Sequence, residues 1–182
     1  MSENAFVQPQ TLTAMDKKVA VESTPGVARA ARWFWWIAGL SLVNTLLIHS
    51  DSNTSFVIGL GFTMITDVMF KSVPAVAFAI DAVALGFFFL MGFFALRGHV
   101  WAFFLGAIVY IGDALIYLRF QDFMPLAFHG LALFYIIKGA IALRTALKDA
   151  AQALVETPIQ MAAVSATATP PELPPSAPSS AI

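Results

Sequence analysis

The sequence predicts an all-α fold, a polytopic membrane helical bundle with four transmembrane helices and one short interfacial or re-entrant helix. Its composition is the first observation: 59% of the 182 residues are hydrophobic and 12% are charged, whereas globular proteins carry about 25% charged residues. The second is the distribution of charge, because only six Asp, Glu, Lys or Arg residues lie between Val73 and Leu143. The third is a series of apolar runs close to the ~20 residues that a helix needs to cross a bilayer.

Four apolar runs supply the predicted spans of a bundle that covers residues 30–144. The runs cover residues 30–49, 73–96, 100–118 and 123–143. The first one contains Trp33, Phe34, Trp35 and Trp36 beside positive charge, a pattern typical of a membrane interface. The links between the last three runs are so short that these spans must be antiparallel neighbours.

The flanks of the bundle differ from it in composition. Residues 1–29 form a polar N-terminal segment. Residues 145–158 are rich in Ala and are expected to continue the last helix into the cytoplasm as far as Pro158. Residues 159–182 indicate a disordered tail rich in Pro, Ala and Ser, because five of the ten prolines lie between Pro170 and Pro178.

The stretch of residues 55–70 is short for a span and contains two glycines, three hydroxyl side chains and Asp67. Treating it as a fifth span places six Lys and Arg residues on one side of the membrane and three on the other. Four spans give seven against two (Lys17, Lys18, Arg29, Arg32, Arg97, Arg144 and Lys148 against Lys71 and Arg119). Because cytoplasmic loops are rich in Lys and Arg, the count favours four spans, with both termini cytoplasmic and the stretch as a short helix.

Several classes of function are excluded or disfavoured by what the sequence lacks. The 10 basic and 11 acidic residues provide no basic surface for nucleic acid. The chain has no cysteine, which excludes thiolate catalysis, disulfides and cysteine-ligated metals. No zinc-protease, nucleophile-elbow, phosphate-loop or dinucleotide-binding motif is present. No cofactor is expected, and an enzyme is the least favoured interpretation.

Ionisable residues inside the predicted spans form a candidate polar cluster. Such residues are costly in a membrane and face the interior of the bundle. Asp81, Asp113 and His129 lie about 10, 8 and 9 Å from the ends of their spans, given a helical rise of about 1.5 Å per residue. Since these spans are consecutive and antiparallel, all three residues lie in the same leaflet. Neither the four-span nor the five-span topology changes this conclusion.

Three further residues belong to the candidate cluster. Tyr110 and Tyr117 share one helical face with Asp113, so we expect their phenols to flank its carboxyl group and to be within hydrogen-bonding reach of it. Asn44 lies at the same depth when the chain has four spans.

The cluster has three interpretations. An acid and an imidazole at one depth can form a structural clamp between helices. They can also form a functional polar site, such as a proton relay or a ligand pocket, and two Asp with one His can form a three-ligand metal site. No sequence motif enforces the metal interpretation, so no metal is assigned.

The functional hypothesis is a non-enzymatic helical bundle that acts through a membrane protein partner or by forming a homo-oligomer. The alternative is a small transporter or proton-linked channel that uses the polar cluster. The lipid bilayer is the expected surrounding, and the plasma (inner) membrane is the expected location.

Overall fold

The computed structural model describes residues 11–49 and 59–167 of the chain. These residues form six helices and no strands, and 88% of them are helical, which confirms the predicted all-α class. The helices are α1 (Ala14–Glu22), α2 (Pro25–His49), α3 (Gly61–Met69), α4 (Pro74–Leu96), α5 (Val100–Arg119) and α6 (Phe123–Thr167).

Helix α1 lies in the segment that the sequence analysis describes only as polar. It begins with a capping box, in which the Thr13 side chain accepts a hydrogen bond from the Asp16 N–H and the Asp16 carboxylate accepts one from the Thr13 N–H. The hydrogen bonds from the Thr13 side chain and backbone lower the pKa of Asp16. Ala20 and Val21 are buried where α1 packs against α2 and α6.

Helices α2, α4, α5 and α6 form a closed ring of four. Helix α2 packs against α4 and α6, and α5 packs against the same two helices. Helix α1 lies at the end of the ring that contains the α4–α5 link, where Gly98 comes close to Lys17. Gly98 has a φ of 79°, a left-handed conformation that favours glycine and allows the chain to reverse there.

The centre of the ring is filled by Phe34, which is fully buried. Its ring lies 6.4 Å from that of Phe88 and 5.9 Å from that of Phe103, measured between centroids. It occupies the space beside Gly106, where a Cβ atom would overlap it. Within the aromatic run that the sequence assigns to the membrane interface, Phe34 thus faces the interior of the bundle, whereas Trp36 is exposed.

Helix α3 packs against α2, α4 and α5 at the end of the ring opposite to α1. It has only nine residues, and its inner face consists of Gly61, Thr63, Thr66 and Asp67. It lies within the predicted short helix of residues 55–70, of which residues 55–58 are outside the described part of the chain.

Helix α6 continues past Pro158, where the sequence analysis expects it to end, and reaches Thr167. Proline removes one backbone hydrogen bond from a helix interior. The surrounding residues are mainly alanine and other good helix formers, which sustain the helix on both sides. In the turn before the proline, the Thr157 hydroxyl donates to the Ala153 carbonyl. The rest of the predicted disordered tail, residues 168–182, lies outside the described part of the chain.

Three of the described helices are long and apolar enough to cross a membrane. They are Pro74–Leu96, Val100–Arg119 and the segment Phe123–Thr157 of α6. Much of the large apolar surface of these helices is exposed, including Val83, Phe89, Ile108 and Ile141. A polypeptide that buries polar groups and exposes apolar ones is suited to lipid rather than to water.

Candidate functional site: a polar clamp around helix α3

Helix α3 begins against the bundle, where Leu60 and Gly61 are buried. The N-cap residue is Leu60, which is buried and has no side-chain hydrogen-bond acceptor. The first N–H groups of any helix lack partners within the helix, and a buried group without a partner is costly. The acceptors must therefore come from neighbouring helices.

Asp113 of α5 supplies the missing cap. Its Oδ2 atom accepts a hydrogen bond of 2.9 Å from the Gly61 N–H, and its Oδ1 atom accepts one of 2.9 Å from the Phe62 N–H. A carboxylate at a helix N-terminus also interacts favourably with the helix dipole. Asp113 therefore acts as an N-cap for α3 although it lies 52 residues further along the chain than Gly61.

His129 of α6 also binds the carboxyl group of Asp113. Its Nε2 atom lies 2.8 Å from Asp113 Oδ2, and its Nδ1 atom lies 2.8 Å from the carbonyl oxygen of Pro125. A carbonyl oxygen only accepts, so Nδ1 carries a hydrogen. The contact between Nε2 and Oδ2 therefore contains one proton, carried by the imidazole or by the carboxyl group. Both side chains are almost fully buried.

The two tyrosines contribute in ways that the sequence analysis does not anticipate. The ring of Tyr110 stacks on the imidazole of His129, with 4.2 Å between centroids. The Tyr117 hydroxyl donates to the carbonyl oxygen of Gly59 at 3.0 Å rather than to Asp113. The sequence predicts that both phenols lie within hydrogen-bonding reach of the carboxyl group. Tyr117 instead binds the backbone before α3, and in the described part of the chain no hydrogen bond joins the Tyr110 hydroxyl to Asp113.

Helix α2 provides the hydrogen-bond acceptor for the backbone N–H of Leu60, the residue just before α3. The Leu60 N–H donates to Ser41 Oγ at 2.9 Å, and the Ser41 hydroxyl donates to the Ile37 carbonyl at 2.8 Å. Asn44 is buried one turn further along and lies against Gly59. Among the described residues, its Oδ1 atom has no hydrogen-bond partner.

Asp81 of α4 holds the middle of α3. Its Oδ1 atom lies 2.7 Å from the Thr66 hydroxyl of α3, and its Oδ2 atom accepts a hydrogen bond of 3.0 Å from the Thr45 hydroxyl of α2. We give the name α3 clamp to five side chains. Ser41, Asp81, Asp113 and Tyr117 bind α3 or the backbone just before it, and His129 holds Asp113.

The structure thus brings together four of the six residues that the sequence analysis selected, namely Tyr110, Asp113, Tyr117 and His129. Asn44 lies beside them, and Asp81 binds α3 through separate partners. Within the described ranges no group of three His, Asp or Glu residues could hold a metal ion.

Sequence reasoning missed the hydroxyl side chains that complete the network. Ser41, Thr45, Thr63 and Thr66 are all buried. Serines and threonines are common in membrane helices, so they do not stand out individually. The spacing of two of them is informative in the sequence, because Thr63 and Thr66 are three residues apart and lie on one face of a short helix.

Comparisons with known protein families, with curated proteins and with solved structures give no match. The fold and its three candidate spans fit a small membrane protein.

The role of Asp113 as the N-cap of α3 can be tested by removing its carboxyl group. Replacing Asp113 with Ala leaves the buried Gly61 N–H and the part-buried Phe62 N–H without acceptors, which should lower the free energy of unfolding by about 2–4 kcal/mol. Hydrogen exchange should accelerate at residues 60–66, as measured by mass spectrometry on the purified protein. Asp122→Ala is the matched control because Asp122 is exposed in the α5–α6 link. Unchanged exchange at residues 60–66 in Asp113→Ala would contradict the role of Asp113 as a cap.

Proposed function

We propose that the protein is a non-enzymatic, four-span membrane bundle that acts by associating with a membrane protein partner or with other copies of itself. The spans in this proposal are α2, α4, α5 and the first part of α6. Helix α3 is a re-entrant helix that enters and leaves the membrane on the same side.

The number of crossings is supported by the contact between Lys17 and Gly98. Lys17 precedes the first proposed span, and Gly98 lies in the link between α4 and α5. Two groups in contact at the end of a bundle lie on the same side of the membrane. An even number of crossings must therefore separate them, which fits α2 and α4 as spans and α3 as a helix that does not cross.

Helix α2 is suited to be the fourth span although its average composition is less apolar. Its 25 residues give a length of about 37 Å, more than the ~30 Å of a hydrocarbon core. Ser41, Asn44 and Thr45 are buried within the bundle, whereas Leu42 and Leu46 are exposed. The polar residues that lower its hydropathy therefore face away from lipid.

The orientation follows from positive charge. With these four spans, seven Lys and Arg residues lie at the end that holds both termini and two lie at the other end. We therefore place both termini in the cytoplasm and the bundle in the plasma (inner) membrane.

One observation carries the proposal that the protein acts by association. Beyond Arg144, where α6 leaves the proposed membrane region, Val155 is 49% exposed and Ile159 is 60% exposed. They lie four residues apart and therefore on one face of the helix. Their side chains are neighbours on the helix surface, and contiguous exposed apolar side chains outside the membrane are typical of protein interaction sites.

The bonding of the acidic residues gives a second reason to disfavour an enzyme. A general acid or base must reach the reacting group of a bound substrate. Asp113 and Asp81 are instead engaged by the backbone and hydroxyl groups of α3 and α2. Their bonding is that of a structural clamp, the first of the three interpretations of the cluster.

The alternative, a small transporter or proton-linked channel, is favoured by two short hydrogen-bonded contacts of carboxyl groups in the bundle. The contact between His129 and Asp113 contains one proton that either residue can carry. The Thr66 hydroxyl has a single proton but two acceptors within reach, the Thr63 carbonyl at 2.8 Å and Asp81 Oδ1 at 2.7 Å. A protonated Asp81 would satisfy both contacts, so two carboxyl groups in the bundle are suited to carry protons.

The topology can be tested with single cysteines, since the chain has none of its own. We expect Ser23→Cys and Arg97→Cys to react with a membrane-impermeant thiol reagent from one side of oriented vesicles. Ser72→Cys and Asp122→Cys should react from the other side, because an even number of crossings separates the members of each pair. Labelling of Ser23→Cys and Arg97→Cys from opposite sides would exclude the four-span topology.

The association can be tested by photo-crosslinking in living cells that produce the full chain. A photoreactive amino acid at position 155 or 159 should give discrete crosslinked species, identified by mass spectrometry as a partner or as a second copy. Position 160 is the control, because Gln160 is exposed but lies about 100° from Ile159 around the helix. Equal crosslinking at all three positions, or none, would contradict the proposal.

The alternative can be tested by proton flux into vesicles that contain a pH-sensitive dye and an imposed membrane potential. A non-transporting bundle should give the same flux as protein-free vesicles. Flux that depends on the protein and disappears in His129→Asn, while Asp122→Asn retains it, would replace the association proposal with the proton-linked one.

A further inference from the structure

A lateral cleft of about 740 Å³ opens between α4 and α5, beside the start of α3. Its walls consist of apolar side chains such as Phe62, Val83, Phe87 and Val109, and among the described residues Asp113 is the one charged residue that lines it. Cavities that bind small molecules typically have volumes of about 300–1,000 Å³, with apolar walls and a few well-placed polar groups. The cleft has both properties.

The mouth of the cleft lies near the centre of the proposed membrane region. Val83 follows Pro74 by nine residues, and Val109 precedes Arg119 by ten, so both lie about 14–15 Å from the ends of their helices. Half the thickness of a hydrocarbon core is also about 15 Å. Val83 is 75% exposed and Val109 is 41% exposed. An occupant must therefore arrive from within the bilayer, already dissolved in lipid.

Within residues 11–49 and 59–167, three of the acceptor positions of Asp113 are engaged. A carboxyl group offers about four acceptor positions. Oδ2 is engaged by the Gly61 N–H and by His129 Nε2, whereas Oδ1 is engaged by the Phe62 N–H alone. Asp113 is 6% exposed. Oδ1 is therefore satisfied by one donor and has room for a second, and a hydrogen bond to a charged acceptor is stronger than one between neutral groups.

The space beside this acceptor is open. Gly112 also lines the cleft, and a Cβ atom added to it would meet no other atom within 4 Å. A small polar group can therefore lie next to the carboxyl group while an apolar chain follows the walls.

We propose that the cleft binds a membrane-dissolved molecule that consists of a long apolar body and one hydrogen-bond donor, with the donor bound to Asp113 Oδ1. The apolar walls accommodate the body, the open acceptor selects the donor, and the lateral mouth gives access from lipid. This site requires only that α4 and α5 cross the membrane, so it does not depend on association through α6.

The test uses a long-chain alcohol as the probe. The full-length protein is reconstituted in phosphatidylcholine vesicles with 1-hexadecanol that carries a photoreactive diazirine on its chain, and labelled residues are identified by mass spectrometry. Labels should concentrate at residues 79–88 and 109–116. Unlabelled hexadecanol should compete about tenfold better than hexadecyl methyl ether, which lacks a donor, because one buried hydrogen bond is lost.

A matched pair of variants tests the position of the site. Gly112→Leu should fill the cleft and abolish the labelling that hexadecanol displaces, whereas Gly130→Leu should retain it, because Gly130 is exposed on α6. Equal competition by the alcohol and the ether, or labels spread over all exposed faces of α4, α5 and α6, would overturn the proposal. If Gly112→Leu does not fold, the ratio of the two competitors in the unchanged protein decides the question.

Discussion

The start of α3 is a helix N-terminus buried among other helices without a cap of its own, and the rest of the polar structure follows from this constraint. A leucine at the N-cap position has no side-chain acceptor to offer, and the first N–H groups of a helix have no partner within that helix. Each group that binds the start of α3 comes from another helix: Ser41 from α2, and Asp113 and Tyr117 from α5. His129 then holds Asp113 from α6. The hydrogen bonds at the start of this nine-residue helix thus link α2, α5 and α6 of the ring.

The same constraint explains why costly residues are retained in an apolar bundle. An intramembrane carboxyl group is unfavourable alone, and so is an uncapped helix end, but each provides the partner that the other lacks. Among the described residues Asp113 Oδ1 has a single donor, and Asp113 lines the lateral cleft. The clamp and the proposed binding site therefore share one side chain, and any occupant of the cleft lies directly against the attachment of α3.

Much of the fold follows from the sequence because apolar runs and short links constrain it strongly. The predicted spans 73–96 and 100–118 differ from α4 and α5 by one residue at a single end. The proximity of Asp113 and His129 follows from helical rise alone. The main partners of Asp113 cannot be predicted from the sequence, because they are backbone N–H groups. Every residue except proline has such a group, and no sequence pattern marks the ones that bind a side chain. Helix α1 was missed although Thr13 and Asp16 have the spacing of a capping box.

The distance along the chain between α3 and its cap has a consequence for biosynthesis. Gly61 leaves the ribosome 52 residues before Asp113, and His129 follows 16 residues after Asp113. During that interval the N-terminus of α3 has no carboxylate acceptor, so it cannot settle in the interior of a bundle that does not yet exist. The hydrogen bonds from Asp113 to α3, and from His129 to Asp113, can therefore form only after α5 and α6 have been synthesised. The contacts that hold the third helix are thus completed by the last two helices of the chain.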